Sequence, residues 1–393
     1  MPDVGKALAA FAGKPAPTGE SAGKPSAIVA PAAGPVIDQG LGTIVEQIFW
    51  RDIEDLAGHW NGLGVDVKGP ASGKPNLCLL SGNNKRMQLV LGDQTLLWGT
   101  MSRCLYGVWL VRNDLLEQLP QTLVGPIDSP QVEQQARLDP ALRLKAWSRL
   151  FVQQLMQHQP DFFYPGYWLV RALRPASQKP MRPMLSGTEA WYFKGGEDAQ
   201  SHMPQWAIHG RNILDNQQAG TARWVELGEY GGAVVGLHAV DPHSGRLKWW
   251  RKKAREGSLP PILLWYVSGL NCHLILDGHY RLQAAIDENL PPEFLVLSSP
   301  RLYRYRPNPQ EQQKVLGALQ VQVQRNKLET GRFNQLLIST FDDRPYHGFG
   351  SQSWAGIASE QVWIDQVSGI LKERGDLSDL EEILEREAPE EYR

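Results

Sequence analysis

Asp277-Gly278-His279-Tyr280-Arg281 gathers an acid, a small bending residue, an imidazole, a phenol and a guanidinium within five positions. An apolar run over 272–276 precedes it, and Leu282, Ala285 and Ile286 follow at helical spacing, so these residues fall where a strand becomes a helix. Gly278 permits the tight bend. The first helical turn leaves N–H groups without intrahelical partners, and the helix dipole adds partial positive charge there. Arg281 supplies a planar cation that matches phosphate oxygens, which makes Gly278, Tyr280 and Arg281 candidate phosphate- or nucleotide-binding residues. Asp277 can orient a hydroxyl, take its proton or bind Mg²⁺, and His279 can exchange a proton near neutral pH. Asp277 and His279 are thus the candidate catalytic residues, and Asp277 the candidate metal ligand. A purely architectural reading stands beside this one: Asp277 caps, Gly278 bends, and His279 and Arg281 face solvent.

A second cluster lies just upstream. Arg246, Lys248, Arg251, Lys252, Lys253 and Arg255 occur within ten residues of a chain whose formal net charge is only −2. The spacings 248/252 and 251/255 place pairs on common helical faces. Lys248, Arg251, Lys252 and Arg255 are therefore candidates for contact with a nucleic-acid backbone or with nucleotide phosphates, against the plainer reading of a solvated face. Arg301, Arg304 and Arg306, with Tyr303 and Tyr305 between them, extend this candidate surface.

The elements that must position these residues are legible over 231–299. A strand over 233–240 leads to a helix capped by Ser244, with Leu247, Trp250 and Ala254 on one face and Gly257 at its end. Strands follow at 262–267 and 272–276, joined by Ser268-Gly269, then the helix after Gly278, and a last strand at 294–297. The order is strand, helix, strand, strand, helix, strand.

This stretch resembles the ParB/sulfiredoxin superfamily. The resemblance rests on Trp249-Trp250-Arg251-Lys252-Lys253-Ala254-Arg255-Glu256-Gly257-Ser258-Leu259-Pro260-Pro261-Ile262 and on Leu274-Ile275-Leu276-Asp277-Gly278-His279-Tyr280-Arg281-Leu282-Gln283-Ala284-Ala285. It implies a ParB/sulfiredoxin-like α/β domain over about 226–300. His279 stands where sulfiredoxin-like members carry their cysteine, and Cys272 lies on the preceding strand, which argues against sulfinic-acid reduction. Tyr280 replaces the first Arg of the partition-protein motif, and no helix-turn-helix is evident over 309–330. The Asp-Gly-His-x-Arg form is similar to kinase-type members. In those, the resemblance implies an acid acting as base beside a nucleotide phosphate, a role that falls by position on Asp277, with Gly278, His279 and Arg281 at the phosphates. ATP, ADP or CTP with Mg²⁺ are the implied ligands. The function expected is phosphoryl transfer or nucleotide hydrolysis, with a DNA-binding protein or ParB-like nuclease, or a non-catalytic interaction protein, as alternatives.

The rest of the chain is less specific. Residues 1–40 are rich in Ala, Pro, Gly and Lys and read as a disordered tail. The two Gly-Lys-Pro sequences lack the Ser or Thr that a P-loop needs. Residues 41–225 read as an α+β region of unassigned role, open to a protein partner. It has a helix near 43–57, an antiparallel meander over 76–80, 87–91, 95–98 and 106–111, a helix capped by Asp139 with Leu144, Trp147, Phe151 and Leu155 on one face, and irregular chain over 160–224. Residues 301–393 read as a mainly helical extension with helices over 309–327 and toward the terminus, and a short strand at 336–339.

Cys78, Cys104 and Cys272 are too scattered for a disulfide or zinc framework. Asp342, Asp343 and His347, or His202 and His209, are weaker metal candidates than turn or loop residues. No run reaches the ~18 apolar residues of a membrane span, so the reading is of a cytoplasmic protein without membrane contact.

Overall fold

The computed structural model describes residues 47–54, 58–69, 73–102, 107–116, 119–175, 190–193, 207–209, 222–226, 233–303, 309–324, 346–357, 359–375 and 377–384. The first strands are β1 (Gln47–Glu54), β2 (Trp60–Lys68), β3 (Leu77–Ser81), β4 (Arg86–Leu91), β5 (Gln94–Met101) and β6 (Gly107–Arg112). Helices α1 (Ser129–Ala136) and α2 (Pro140–His158) lead to β7 (Gly166–Pro175), β8 (Ala190–Phe193), β9 (Ala207–His209), β10 (Ala222–Glu226) and β11 (Ala233–Gly236). Then come α3 (Gly245–Arg255), β12 (Ile262–Val267), β13 (Cys272–Asp277), α4 (His279–Asp287), β14 (Phe294–Ser298) and β15 (Pro300–Tyr303). The chain closes with α5 (Pro309–Gln324), β16 (Tyr346–Phe349), β17 (Ser353–Ala355), α6 (Glu360–Arg374) and α7 (Leu380–Leu384). The described residues form an α/β protein with two mixed sheets.

One sheet runs β1-β2-β7-β14-β12-β13-β11, with β8 added on β7 and β9 on β8, and the other runs β10-β6-β5-β4-β3-β17. Alternation within strands lets both sheets bury two faces. In β12, Leu263, Trp265 and Val267 join the main core shared with the second sheet and α2, whereas Ile262 and Leu264 pack with Leu282 of α4. In β5 and β6, Leu97 and Leu110 face that main core, while Trp98 and Trp109 turn to Trp363 and Val367 of α6.

The meander over β3–β6 and the Asp139-capped α2 form as their sequences direct, and Leu144, Trp147, Phe151 and Leu155 are all buried. Two expectations are corrected. The segment expected as a helix near 43–57 is strand β1 over the residues described: partly buried Ile48 and Trp50 alternate with exposed Phe49 and Arg51, and pairing with β2 satisfies its backbone. The irregular chain expected after 160 contains β7, which sits between β2 and β14. Its Trp168, Val170 and Leu173 are buried together with Leu169 and Arg171, so no polar alternation marked it as a strand. Strand pairing also crosses the expected boundaries at 225/226 and 300/301, since β7 pairs with β14 and β17 with β3. The 1–40 tail, the strand at 336–339, Cys104, His202, Arg304, Tyr305, Arg306, Asp342 and Asp343 lie outside the described residues.

Arg86 ties the C-terminal helices to the second sheet. Its buried guanidinium donates to Thr100 Oγ1 at 2.7 Å, to the Ile383 carbonyl at 2.7 Å and to the Leu384 carbonyl at 3.0 Å, and lies 4.5 Å from the Trp363 ring centroid. Arg86→Met leaves those α7 carbonyls without this donor and removes the 3.6 Å ion pair from Arg86 Nε to Glu360. The expected cost is about 3 kcal/mol, read as a lower denaturation midpoint with faster amide exchange confined to α6 and α7. An unchanged midpoint would refute the assignment.

Candidate functional site

β11 and β13 run parallel, with Ala233 opposite Cys272 and Gly236 opposite Ile275. Each strand leads into a helix, so the N-termini of α3 and α4 emerge at the same edge of the sheet. That edge, outside the carboxyl ends of parallel strands, is where open α/β sheets place ligands. The Ser244 hydroxyl caps α3 by accepting from the Arg246 N–H at 3.2 Å. By contrast, no side chain caps α4, whose preceding residue Gly278 adopts φ +110°. The conformation favours glycine there, and a Cβ would stand 2.9 Å from Arg281 Nη2 and displace that guanidinium.

Arg281 points inward. Its guanidinium is 1% exposed and donates through Nη2 to Asp277 Oδ2 at 2.6 Å and to the Pro261 carbonyl at 3.0 Å. The Trp250 and Phe151 rings lie 5.4 and 5.8 Å from it. In this arrangement it braces the strand–helix turn instead of reaching toward a ligand. Burial among aromatics and the nearby carboxylate outweigh exposure to solvent, which the motif could not show.

His279 is likewise drawn in. Its Nε2 accepts from the Leu237 N–H at 2.9 Å, which ends β11 at Gly236, short of the strand expected to run to 240. The His238 ring stacks on it with centroids 3.8 Å apart and planes 29° apart. Burial pushes the His279 imidazole well below its ordinary 6.5, and His238, Arg112, Arg281 and Arg246 push in the same direction. His238 is lowered too, first by burial, then by Arg112 and Arg246, against the raising effects of the Ala239 carbonyl and Asp277. Tyr280 stays partly exposed, with Arg246 5.7 Å from its ring centroid and its hydroxyl 3.4 Å from the Asp241 N–H.

The basic helix divides. Arg251 Nε and Arg255 Nη1 both bond Glu288 Oε1, at 2.6 and 2.7 Å. Those bonds raise the Arg251 pKa and lower that of Glu288. Glu288 follows the C-terminal end of α4, a nine-residue helix about 13 Å long at ~1.5 Å per residue, so this pair stands away from the N-terminal end of that helix. Lys252 and Lys253 pair with Glu256 at 3.8 and 2.9 Å. Lys248 is exposed and forms no ion pair among the described residues. Arg246 alone of this group reaches the turn.

The edge therefore joins Asp277, His279 and Tyr280 of the sequence candidates with Arg246 and His238, and the charge of Arg112 acts on both imidazoles. Sequence reasoning missed His238 and Arg112. A parallel β11–β13 pair would have pointed to His238, just past one strand end, whereas Arg112 arrives from the second sheet with no local signal. Among the described residues, no group of three or more His, Cys, Asp or Glu side chains is placed to hold a metal. Cys272 is fully buried, and burial pushes its thiol up to about 12. No helix of the described residues is long and apolar enough to cross a membrane. No family model, curated protein or solved structure matches the chain.

Two predictions follow from the buried groups. Arg281→Met removes the partner of Asp277 and the bond to Pro261, with an expected loss of about 3 kcal/mol in chemical denaturation; a loss under ~0.5 kcal/mol would show that Arg281 is not a brace. Because folding lowers the His279 pKa, the unfolded chain binds the proton first as pH falls through 6.5. The His279 contribution is complete above that pH and is lost as pH drops toward the folded value, with a slope of up to ~1.4 kcal/mol per pH unit. His279→Gln, whose side-chain oxygen can still accept from Leu237, should flatten the fall in stability between pH 7 and 5. An identical slope in the variant would count against His279 as its source.

Proposed function

We propose that the protein binds nucleotide phosphates at the edge formed by the N-termini of α3 and α4, and acts on them by phosphoryl transfer or hydrolysis. The observation that carries this reading is the convergence of two helix N-termini, one without a side-chain cap, beside Arg246 and the stacked His238 and His279. Outward backbone N–H groups and helix dipoles favour an anion there, Arg246 adds its positive charge, and Arg112, though paired with Asp114, adds part of its own. A ParB/sulfiredoxin-like assignment for β11 to β14 is supported by the order strand, helix, strand, strand, helix, strand, and by Asp277-Gly278-His279-Tyr280-Arg281 at the second strand–helix turn.

In this reading the roles shift from those the motif implies. Arg246 and Arg112 take the phosphate charge. Arg281 positions Asp277 through Oδ2. Asp277, at the end of β13, orients the attacking hydroxyl or water and accepts its proton. Mg²⁺ accompanying a nucleotide would be held chiefly by the phosphates and its own waters, which leaves the second oxygen of Asp277 for the proton. His279 stays neutral and anchors the 237–244 loop over the site. The nucleic-acid alternative is weakened by Arg251, Lys252, Lys253 and Arg255, whose charges are already met by Glu288 and Glu256.

A thermal-shift panel of ATP, ADP and CTP, with and without Mg²⁺, tests the binding. A ligand at a hundred times its Kd stabilises the folded state by about 2.7 kcal/mol, which is readily seen as a raised midpoint. Arg246→Ala should abolish the shift and Lys252→Ala should preserve it. Asp277→Asn should retain the shift and lose phosphate release. If none of the three nucleotides moves the midpoint, the proposal fails.

A further inference from the structure

The stacked imidazoles at this edge are not equivalent. His238 Nδ1 lies 2.7 Å from the Ala239 carbonyl oxygen, which can only accept, so Nδ1 carries the proton and the ring's lone pair is on Nε2. His279 is the same tautomer, but its lone pair is already engaged: Nε2 accepts from the Leu237 N–H, and Nδ1 carries the proton. A second proton on His279 would break the Leu237 bond within the protein interior. A second proton on His238 breaks no bond among those described. Only one ring of the pair can therefore become an imidazolium while the loop stays in place.

The charges around the pair come from four elements. β6 ends in Arg112, itself paired with Asp114; α3 contributes Arg246 in its first turn; β13 contributes Asp277; and α4 contributes Tyr280 and the inward-facing Arg281. Asp241 and His243 lie on the loop that carries His238, with the Asp241 carboxylate accepting from the His243 N–H at 2.8 Å. Arg112 and Arg246 oppose protonation of both rings, whereas Asp277 favours it at His238. A dianion at this edge would offset the field of the two arginines, and the cost of charging His238 would fall with it.

We propose that an anion bound at this edge is held together with a proton, taken up on Nε2 of His238. This rests on the binding site assigned above. The new imidazolium becomes a third cation beside Arg112 and Arg246, and the face of neutral His279, 3.8 Å away, supports it as an aromatic face supports a cation. Atoms balance simply: solvent or buffer supplies one proton, and no covalent bond of the ligand changes. The device favours dianionic tetrahedral groups over monoanions, since a second negative charge is what offsets the paired arginines.

Sulfate is the suitable probe, being a tetrahedral dianion that does not titrate near neutral pH. Its binding to the full chain is measured by calorimetry at pH 7 in two buffers of low and high ionisation enthalpy. The expected result is a heat that differs between the buffers, corresponding to uptake of between a fraction and one proton per sulfate. The sulfate Kd should also rise with pH, by up to about tenfold per unit where a whole proton is taken up. His238→Gln should still bind sulfate, with the same heat in both buffers. Equal heats for the unaltered protein, or a buffer dependence that survives in His238→Gln, overturn the proposal. Absence of sulfate binding defeats the site assignment itself, and the proton coupling with it.

Discussion

Four ladder positions, from Ala233 opposite Cys272 to Gly236 opposite Ile275, hold β11 parallel to β13, and the candidate site depends on that pairing. Antiparallel strands would send their following helices to opposite ends of the sheet. Parallel strands send α3 and α4 the same way, so two helix N-termini share one edge. The Leu237 N–H, the first beyond the ladder, is taken by His279. That single bond ends the strand and sets His238 over the start of α4.

The turn at Gly278 is held from beneath. Asp277 and Arg281 lie four residues apart on either side of the bend, and their 2.6 Å ion pair closes it. The Arg281 guanidinium is enclosed by Trp250 and Phe151, which belong to α3 and α2, so the turn is tied to two other helices. Burying a guanidinium carries a desolvation cost, offset here by the carboxylate, the Pro261 carbonyl and two aromatic faces. Such an arrangement stabilises one conformation of the turn. It also explains why the arginine of the motif braces the site while a different arginine, from α3, faces it.

Charge in α3 is organised along its length. Its N-terminal turn carries Arg246 toward the site, and its C-terminal turn satisfies Glu288 and Glu256. Six cations in ten residues suggest a polyanion surface only when their partners are unknown. With four of them paired, the local excess of positive charge is concentrated at the end shared with α4.

Local rules determined much of this protein from sequence alone. Ser244, Asp139 and Gly257 marked helix ends because capping depends on neighbours within a few residues. The β12, β13 and β14 strands and the helix after Gly278 were legible through short apolar runs and turn residues. β1 and β7 were not, because an edge strand with one half-buried face and a central strand buried on both faces carry no clear local period. The strand–turn–helix at 277–281 was determined by the sequence as a bend leading into a helix. Only tertiary structure decided which of its side chains turned inward, because burial of Arg281 and His279 depends on Trp250, Phe151 and Leu237 from other elements. The arrival of Arg112, from another sheet and more than a hundred residues away in the chain, is a consequence of packing that no local pattern encodes.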